Sequence, residues 1–330
     1  MHPNQSGRDD CAATAGLFNL KADTLKLKTG RNLWPRIVAI FVGPNGLRTG
    51  WRFLLFVLGI ELAEFYVREP LLLFLGRRLG VSLNGLTAPN LFLEELVGLF
   101  IVLVVTGIAA FFERRRVDDY GLPVSQAFGA LFWKGTLAGL LVVVFVAGGM
   151  IVTDSMQVHG LALTGTALPW FALLWLGANV LVGLNEEYLF RGYALRVLWR
   201  GAGFWPAAII TTAIFAGLHM TKPHENAMDI GMIFVLGLAI CLSVQRTGTL
   251  WWAVGWHAAF DFGQFFLIGT HNGGQAPAGH LLDVTFNGPA LLNGGELGTE
   301  ASVFMVPAAV ATLIYVIWFL RRESEIKPRA

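Results

Sequence analysis

Between Leu168 and Leu184 the chain reads LPWFALLWLGANVLVGL, without a charge. It then runs straight into Asn185-Glu186-Glu187-Tyr188-Leu189-Phe190-Arg191-Gly192, and apolar character resumes from Tyr193 to Trp199. A run of about 20 mostly apolar residues is what a helix needs to cross a bilayer. Charges set inside such a run are expensive unless they are paired or used. The rest of the 330-residue chain has the same character. AVILMFWYC make up 55% of it. With Gly added and Tyr removed the apolar share is roughly 65%, against about 45–50% for ordinary globular chains. Charged residues are 14%, too few to cover a soluble core of that size. The 25 Phe and 11 Trp exclude a disordered chain. Two cysteines, Cys11 and Cys241, make no disulfide framework. A formal charge of +2 is too balanced for nucleic-acid binding through bulk electrostatics, so no nucleic-acid partner is expected. The remaining fold class is all-α, a multi-pass transmembrane helical bundle lying in a lipid bilayer.

About eight spans are expected by length and apolarity. They run near Trp51 to Val67, Leu91 to Phe112, Leu131 to Thr153, from Leu168 onward, Phe204 to Met220, Ala227 to Val244, Leu250 to Ile268 and Val303 to Leu320. A short apolar piece, Leu71 to Leu75, ends in Arg77 and Arg78 and reads as interfacial. Lys and Arg mark the cytoplasmic side of a membrane protein. They gather before the first span (Lys21, Lys26, Lys28, Arg31, Arg36, Arg48), after the second (Arg114 to Arg116), between the fourth and fifth (Arg191, Arg196, Arg200) and after the last (Arg321, Arg322, Lys327, Arg329). Both termini are therefore expected in the cytoplasm, with the plasma (inner) membrane as the location. The expected organisation is a cytoplasmic N-terminal tail (1–50), N-terminal transmembrane helices (51–153), a core (160–268), an external flexible Gly- and Asn-rich loop (269–300), and a last span with a cytoplasmic tail (301–330). Residues 1–30 are polar and mixed, with no cleavable signal peptide.

Ionisable groups in mid-membrane are functional hypotheses by default. Glu186 and Glu187 point about 100° apart on a helix, so they take different roles. Glu187 and Arg191 are four apart and pair on one face, which leaves Glu186 without a local partner. His219 closes the apolar run that contains Phe215. His257 and Asp261, again four apart, share a helix face. If the fourth helix continues to about Arg200, Glu186 and His219 lie about 21–23 Å from the same side, and His257 and Asp261 about 10–18 Å. Gly183, Gly192, Gly217, Gly255 and Gly263 flank these residues and allow close helix approach. A carboxylate, two histidines and an aspartate in a dry pocket suit the activation of a water, and amide hydrolysis is the first reaction class to consider. No His-Glu-x-x-His is present and His224 reads as a loop residue; no Gly-x-Ser-x-Gly elbow appears either.

Glu186-Glu187-Tyr188-Leu189-Phe190-Arg191 resembles the EExxxR motif of the CPBP (Abi) intramembrane proteases, which include the type II CAAX prenyl endopeptidases. Phe215-x-x-x-His219 is similar to the family's FxxxH motif, and His257-x-x-x-Asp261 to its HxxxN/D motif. The prenyl endopeptidases usually carry Asn at the last position. Asp119-Tyr120-Gly121-Leu122 resembles a further short feature, but also suits an ordinary polar turn. The resemblance implies an intramembrane endopeptidase acting on a peptide or membrane-protein substrate, with CAAX-type C-terminal processing as one branch. In it Glu186 activates the water and His219 assists. His257 and Asp261 hold the oxyanion, or join Glu186 and His219 in a site for a divalent metal such as zinc. Glu187, Arg191 and Phe215 are structural supports. A metal-free glutamate mechanism is the other route the family allows. The alternative class is a non-enzymatic membrane protein, a transporter or a bacteriocin self-immunity factor. Glu61, Glu64, Glu94 and Glu95 in the early spans suit an ion path, or else interfacial positions and pairing with Arg.

Overall fold

The computed structural model describes residues 33–44 and 46–320, so the expectations for Cys11, for Lys21 to Arg31 and for Arg321 to Arg329 fall outside the described residues. Helix α1 (Leu33–Phe41) leads through a two-residue hairpin, β1 (Val42–Gly43) and β2 (Gly46–Leu47), into a helical bundle. The bundle is built from α2 (Thr49–Ala63), α3 (Glu69–Leu79), α4 (Ala88–Glu113), α5 (Ala130–Val152), α6 (Ala167–Glu187), α7 (Leu195–Ala202), α8 (Phe204–His219), α9 (Ala227–Thr247) and α10 (Trp251–Phe262). Strand β3 (Met156–Leu161) follows α5, and β4 (Leu282–Phe286), α11 (Ala290–Asn293) and α12 (Met305–Phe319) complete the chain. The all-α membrane bundle expected from composition is what the structure has.

Five helical stretches among the described residues are long and apolar enough to cross a membrane: Ala88–Glu113, Ala130–Val152, Ala167–Ala202, Ala227–Thr247 and Gly295–Phe319. The other three expected spans are helical but shorter or interrupted. Helix α8 is apolar with 16 residues, and α10 gains length only through the π-helical turn Gly263–Ile268. The first span departs most from expectation. The separate interfacial piece does not exist, because α2 continues through a π-helical turn, Glu64–Arg68, directly into α3. Pro70 lacks the N–H that an uninterrupted α-helix would need there, and a widened turn just before it lets the helix continue. Glu64 and Arg68 pair at 3.3 Å across that turn, and Gly80 in the left-handed region (φ 67°) ends the helix. Helix α6 runs on through the charged motif as expected, again by way of a π-helical turn, Tyr188–Ala194, into α7.

Helix α10 sits in the middle of the bundle, packed between α5 and α6. Glycine makes this possible. A Cβ at Gly135 would run into the carbonyl oxygen of Trp252, one at Gly139 into that of Trp256, and one at Gly255 into that of Phe132. On the other side a Cβ at Gly183 would lie 2.9 Å from the Val254 oxygen, and one at Gly263 would meet the Val143 side chain at 2.7 Å. In a bilayer, where lipid is as apolar as leucine, such backbone-to-backbone contact is a main source of helix association. Gly217 has no such role, since nothing lies within 4 Å of its Cβ position, and Gly192 meets the ring of Tyr188. Gly135 and Gly139, at the same helical spacing on α5, do what Gly217 was expected to do.

Residues 269–300 form more than a flexible loop. Strand β4 pairs antiparallel with β3 from Met156↔Phe286 to Leu161↔Leu282, with a bulge between Val158 and Gly160. This pairing ties the segment to the end of α5, and backbone bonds from Gly269 and Thr270 to the Gln264 carbonyl tie it to the end of α10. Its Gly and Asn content serves turns in the left-handed region at Gly269, Gly274 and Gly294. At the other end of the bundle Glu113 accepts hydrogen bonds from Tyr120 (2.8 Å) and Tyr193 (2.6 Å), with Arg200 at 3.5 Å and Arg52 at 3.7 Å. The Asp119 to Leu122 stretch is therefore no ordinary polar turn: Tyr120 is fully buried, and the Gly121 carbonyl accepts from the Leu250 N–H at the start of α10.

The glycine seam makes a contrast to measure. Gly255→Val forces α5 away from α10 and should cost about 1–3 kcal/mol or more, read as a fall in melting temperature of the detergent-solubilised protein. Gly217→Ala, with open space at its Cβ, should melt at the same temperature or higher.

Candidate active site

Glu187 ends α6 with 1% exposure and makes the central contacts. Its Oε1 accepts a hydrogen bond from His257 Nδ1 at 2.8 Å and lies 3.5 Å from Arg191 Nη1. A carboxylate so far from water needs such partners, because an isolated buried charge is prohibitively costly. Arg191, also 1% exposed, sits on the π-helical turn with its guanidinium 4.4 Å from the Phe215 ring centroid and 5.8 Å from that of Phe190. Phe215 in turn packs edge-on against His219 with centroids 4.6 Å apart. The Phe215 carbonyl accepts a hydrogen bond from His219 Nδ1 at 2.9 Å. That bond fixes the ring and leaves Nε2 as its free nitrogen.

Glu186 takes a different direction, as its angular offset on the helix requires. Its side chain is 28% exposed, and Oε2 lies 3.6 Å from His257 Nε2. Asp261 Oδ2 lies 3.5 Å from the same nitrogen. His257 is thus held at Nδ1 by Glu187 and presents Nε2 between two further carboxylates. Glu186, His219, His257 and Asp261 all line one cavity of about 320 Å³. The structure brings together the four residues read from sequence as the reactive set. Glu187, Arg191 and Phe215 lie behind the cavity wall, and Glu187 does more than pair with Arg191, since it also orients His257. His224 lies in the turn between α8 and α9 with φ at 69°, outside this set.

The donor types suit a zinc ion, but their arrangement does not. Among the described residues no group of three His, Cys, Asp or Glu side chains is placed to hold a metal.

Residues 168–263 match the family described as Rce1-like, Type II CAAX prenyl endopeptidase. The matched stretch is less than a third of the chain, runs from the start of α6 to the end of α10, and contains all three motifs that carry the resemblance. A curated protein of Escherichia coli, described as an uncharacterized 24.3 kDa protein, is 28% identical over 127 residues, 37% of this chain. The chain spans 56% of the length of that relative. No solved structure matches the chain.

Several cavity residues are not read as part of this site from sequence, Glu95 entering only as a candidate for an ion path, an interfacial position or pairing with Arg. Lys222 and Gln275 line it, and so do Glu95 on α4 and Glu300 just before α12. Glu95 and Glu300 lie outside the Rce1-like segment. Glu95 accepts a hydrogen bond from Asn185 Nδ2 at 2.8 Å, and Asn185 lies against Gly98 of α4. Its signal was visible as a carboxylate inside an apolar span, but the sequence could not choose between the membrane interface and this cavity. Glu300 accepts from Gln264 Nε2 at 3.0 Å, a contact that exists only because the 269–300 segment folds back over the end of α10.

The two adjacent carboxylates should separate in a stability measurement. Arg191→Met strands Glu187 as a buried charge and should cost about 3–5 kcal/mol, read by unfolding in detergent. Glu186→Ala removes a partly exposed group and should cost less than about 1 kcal/mol.

Proposed function

We propose that this multi-pass membrane protein is an intramembrane endopeptidase that cleaves a peptide bond with a water activated by Glu186. One observation carries the reading: Glu186, His219, His257 and Asp261, from three separate motifs, line a single cavity that also has an exposed wall. Glu186 accepts a proton as the water oxygen attacks the scissile carbonyl carbon. The Nε2 of His219, unbonded within the protein, accepts the water's other hydrogen bond and orients it. His257, fixed through Nδ1 by Glu187, donates from Nε2 to the developing oxyanion. Asp261 keeps that nitrogen aimed. Glu186 then returns its proton to the leaving amine as the C–N bond breaks, giving a carboxylate and an amine. The steps proposed here use the chain's own side chains alone.

The substrate class we propose is a peptide or membrane-protein segment with CAAX-type C-terminal processing, as the matched family's description suggests. Both termini are placed in the cytoplasm, with the protein in the plasma membrane. The Lys and Arg asymmetry of the sequence supports that placement. Of the early carboxylates, Glu64 pairs with Arg68 and Glu95 lines the site cavity, which weakens the ion-path reading for those two.

Termini should be compared by mass spectrometry in host membranes carrying the wild type or Glu186→Gln. New protein termini should appear with the wild type alone, and a purified substrate should be cut about 10²–10⁴-fold more slowly by the variant. Identical termini, with the variant inserted at equal level, would remove the protease reading.

A further inference from the structure

Away from the site, α5 and α12 run antiparallel and are pinned together at both ends. At one end a Cβ at Gly149 would meet the Phe304 ring, just before α12, at 2.6 Å. At the other, Trp252 of α10 joins them: a Cβ at Gly135 would run into its carbonyl oxygen, and its ring stacks on Tyr315 with centroids 5.9 Å apart. Between the pins the helices part around a cavity of about 530 Å³, within the usual size of a ligand pocket. Ala138, Ala308 and Ala311 keep it hollow, and Leu137, Leu141 and Phe145 give it hydrocarbon walls. These three are more than half exposed, so the cavity opens outward, toward lipid. It shares no residue with the candidate active site.

Its polar groups gather at one end. Lys134 and Tyr315 line it beside the Trp252 pin. Thr312, further in, already donates its hydroxyl proton to the Ala308 carbonyl at 2.9 Å. Lys134 is exposed and makes no ion pair among the described residues. Trp133 and Trp318, 62% and 77% exposed, stand at the same end, and tryptophan gathers where a bilayer meets water. From Lys134 to Phe145 the cavity follows about 16 Å of helix, close to one leaflet's share of a ~30 Å hydrocarbon core. A cation at the interface thus stands over an apolar trough one leaflet deep.

We propose that the cavity between α5 and α12 seats one anionic glycerophospholipid of the surrounding bilayer, with its phosphate on Lys134 and one acyl chain along Leu137, Leu141 and Phe145. A molecule with a single charged end matches polar groups confined to one end. An apolar helix of another chain would cover the trough but leave the lysine without a counter-charge, whereas an anionic lipid supplies one. The bound lipid fills the gap between α5, which packs on α10, and α12, which packs on α9. The seat is independent of the hydrolytic reading above.

Photolabelling in vesicles tests the seat. The full chain is reconstituted in phosphatidylcholine with a trace of phosphatidylglycerol carrying a diazirine on one acyl chain, or with the same trace of diazirine phosphatidylcholine. Labelled peptides are then mapped by mass spectrometry. In the wild type the phosphatidylglycerol probe should label residues 134–145 and 307–315 about fivefold more than the phosphatidylcholine probe, the factor that one lysine contributes toward anionic lipid. Leu173 and Leu176 of α6, similarly exposed, should take both probes alike. Lys134→Gln should bring the cavity ratio to about one. Ala311→Phe, which fills the trough, should lower labelling there with either probe. Equal labelling by the two probes in the wild type overturns the proposal whether or not a variant folds, and so does a preference at Leu173 as large as that in the cavity. Undiminished labelling in a folded Ala311→Phe overturns the seat, and an unchanged ratio in Lys134→Gln overturns the part played by Lys134. Cross-links between two copies through this face, in place of lipid adducts, would assign it to self-association instead.

Discussion

The Glu187 carboxylate is buried, and the site is organised around the partners of its Oε1. It ends α6, Arg191 comes from the π-helical turn that follows, and His257 comes from α10. One buried oxygen therefore cross-links two segments that are 70 residues apart in sequence. Removing either partner would leave a charge in a low-dielectric interior, where the penalty exceeds most single packing contributions. Arg191 passes the constraint on, because its guanidinium lies against the Phe215 ring and Phe215 holds His219 through its carbonyl. Three motifs separated in sequence become one rigid unit through a carboxylate, a guanidinium, an aromatic ring and a backbone oxygen.

That unit can form only if α10 reaches the bundle centre, and the glycine seam lets it. With side chains at Gly135, Gly139 and Gly255, α5 and α10 could not approach to backbone contact, and His257 would stand away from Glu187. Gly183 does the same for α6 against α10. The polar cluster and the glycines are thus parts of one arrangement: small residues bring the helices together, and the charges make the contact specific.

The three π-helical turns share a logic. Each adds a residue to a helical turn beside a polar feature: Glu64 with Arg68 before Pro70, Arg191 after Glu187, and the run after Asp261 that contains Gln264. Widened turns of this kind recur at functional positions because they redirect side chains without ending the helix. Here they let charged residues sit within long apolar helices.

Much of the site was legible in the sequence, because ionisable residues inside apolar runs are few and conspicuous. Composition determined the all-α membrane class, since 55% apolar letters leave too little polar surface for a soluble fold. Helical spacing determined that Glu187 pairs with Arg191 and that Glu186 points elsewhere, because those relations lie within one turn. What crosses from helix to helix was decided by the tertiary structure alone. The hydrogen bond from His257 to Glu187 and the place of Glu95 and Glu300 in the cavity wall depend on helices meeting at chosen depths and rotations. So does the fold of 269–300, whose Gly and Asn content signals turns but not the strand they serve. Local periodicity is written in neighbouring residues. Contact between distant ones is set by which backbones can approach, and that depends on the whole bundle at once.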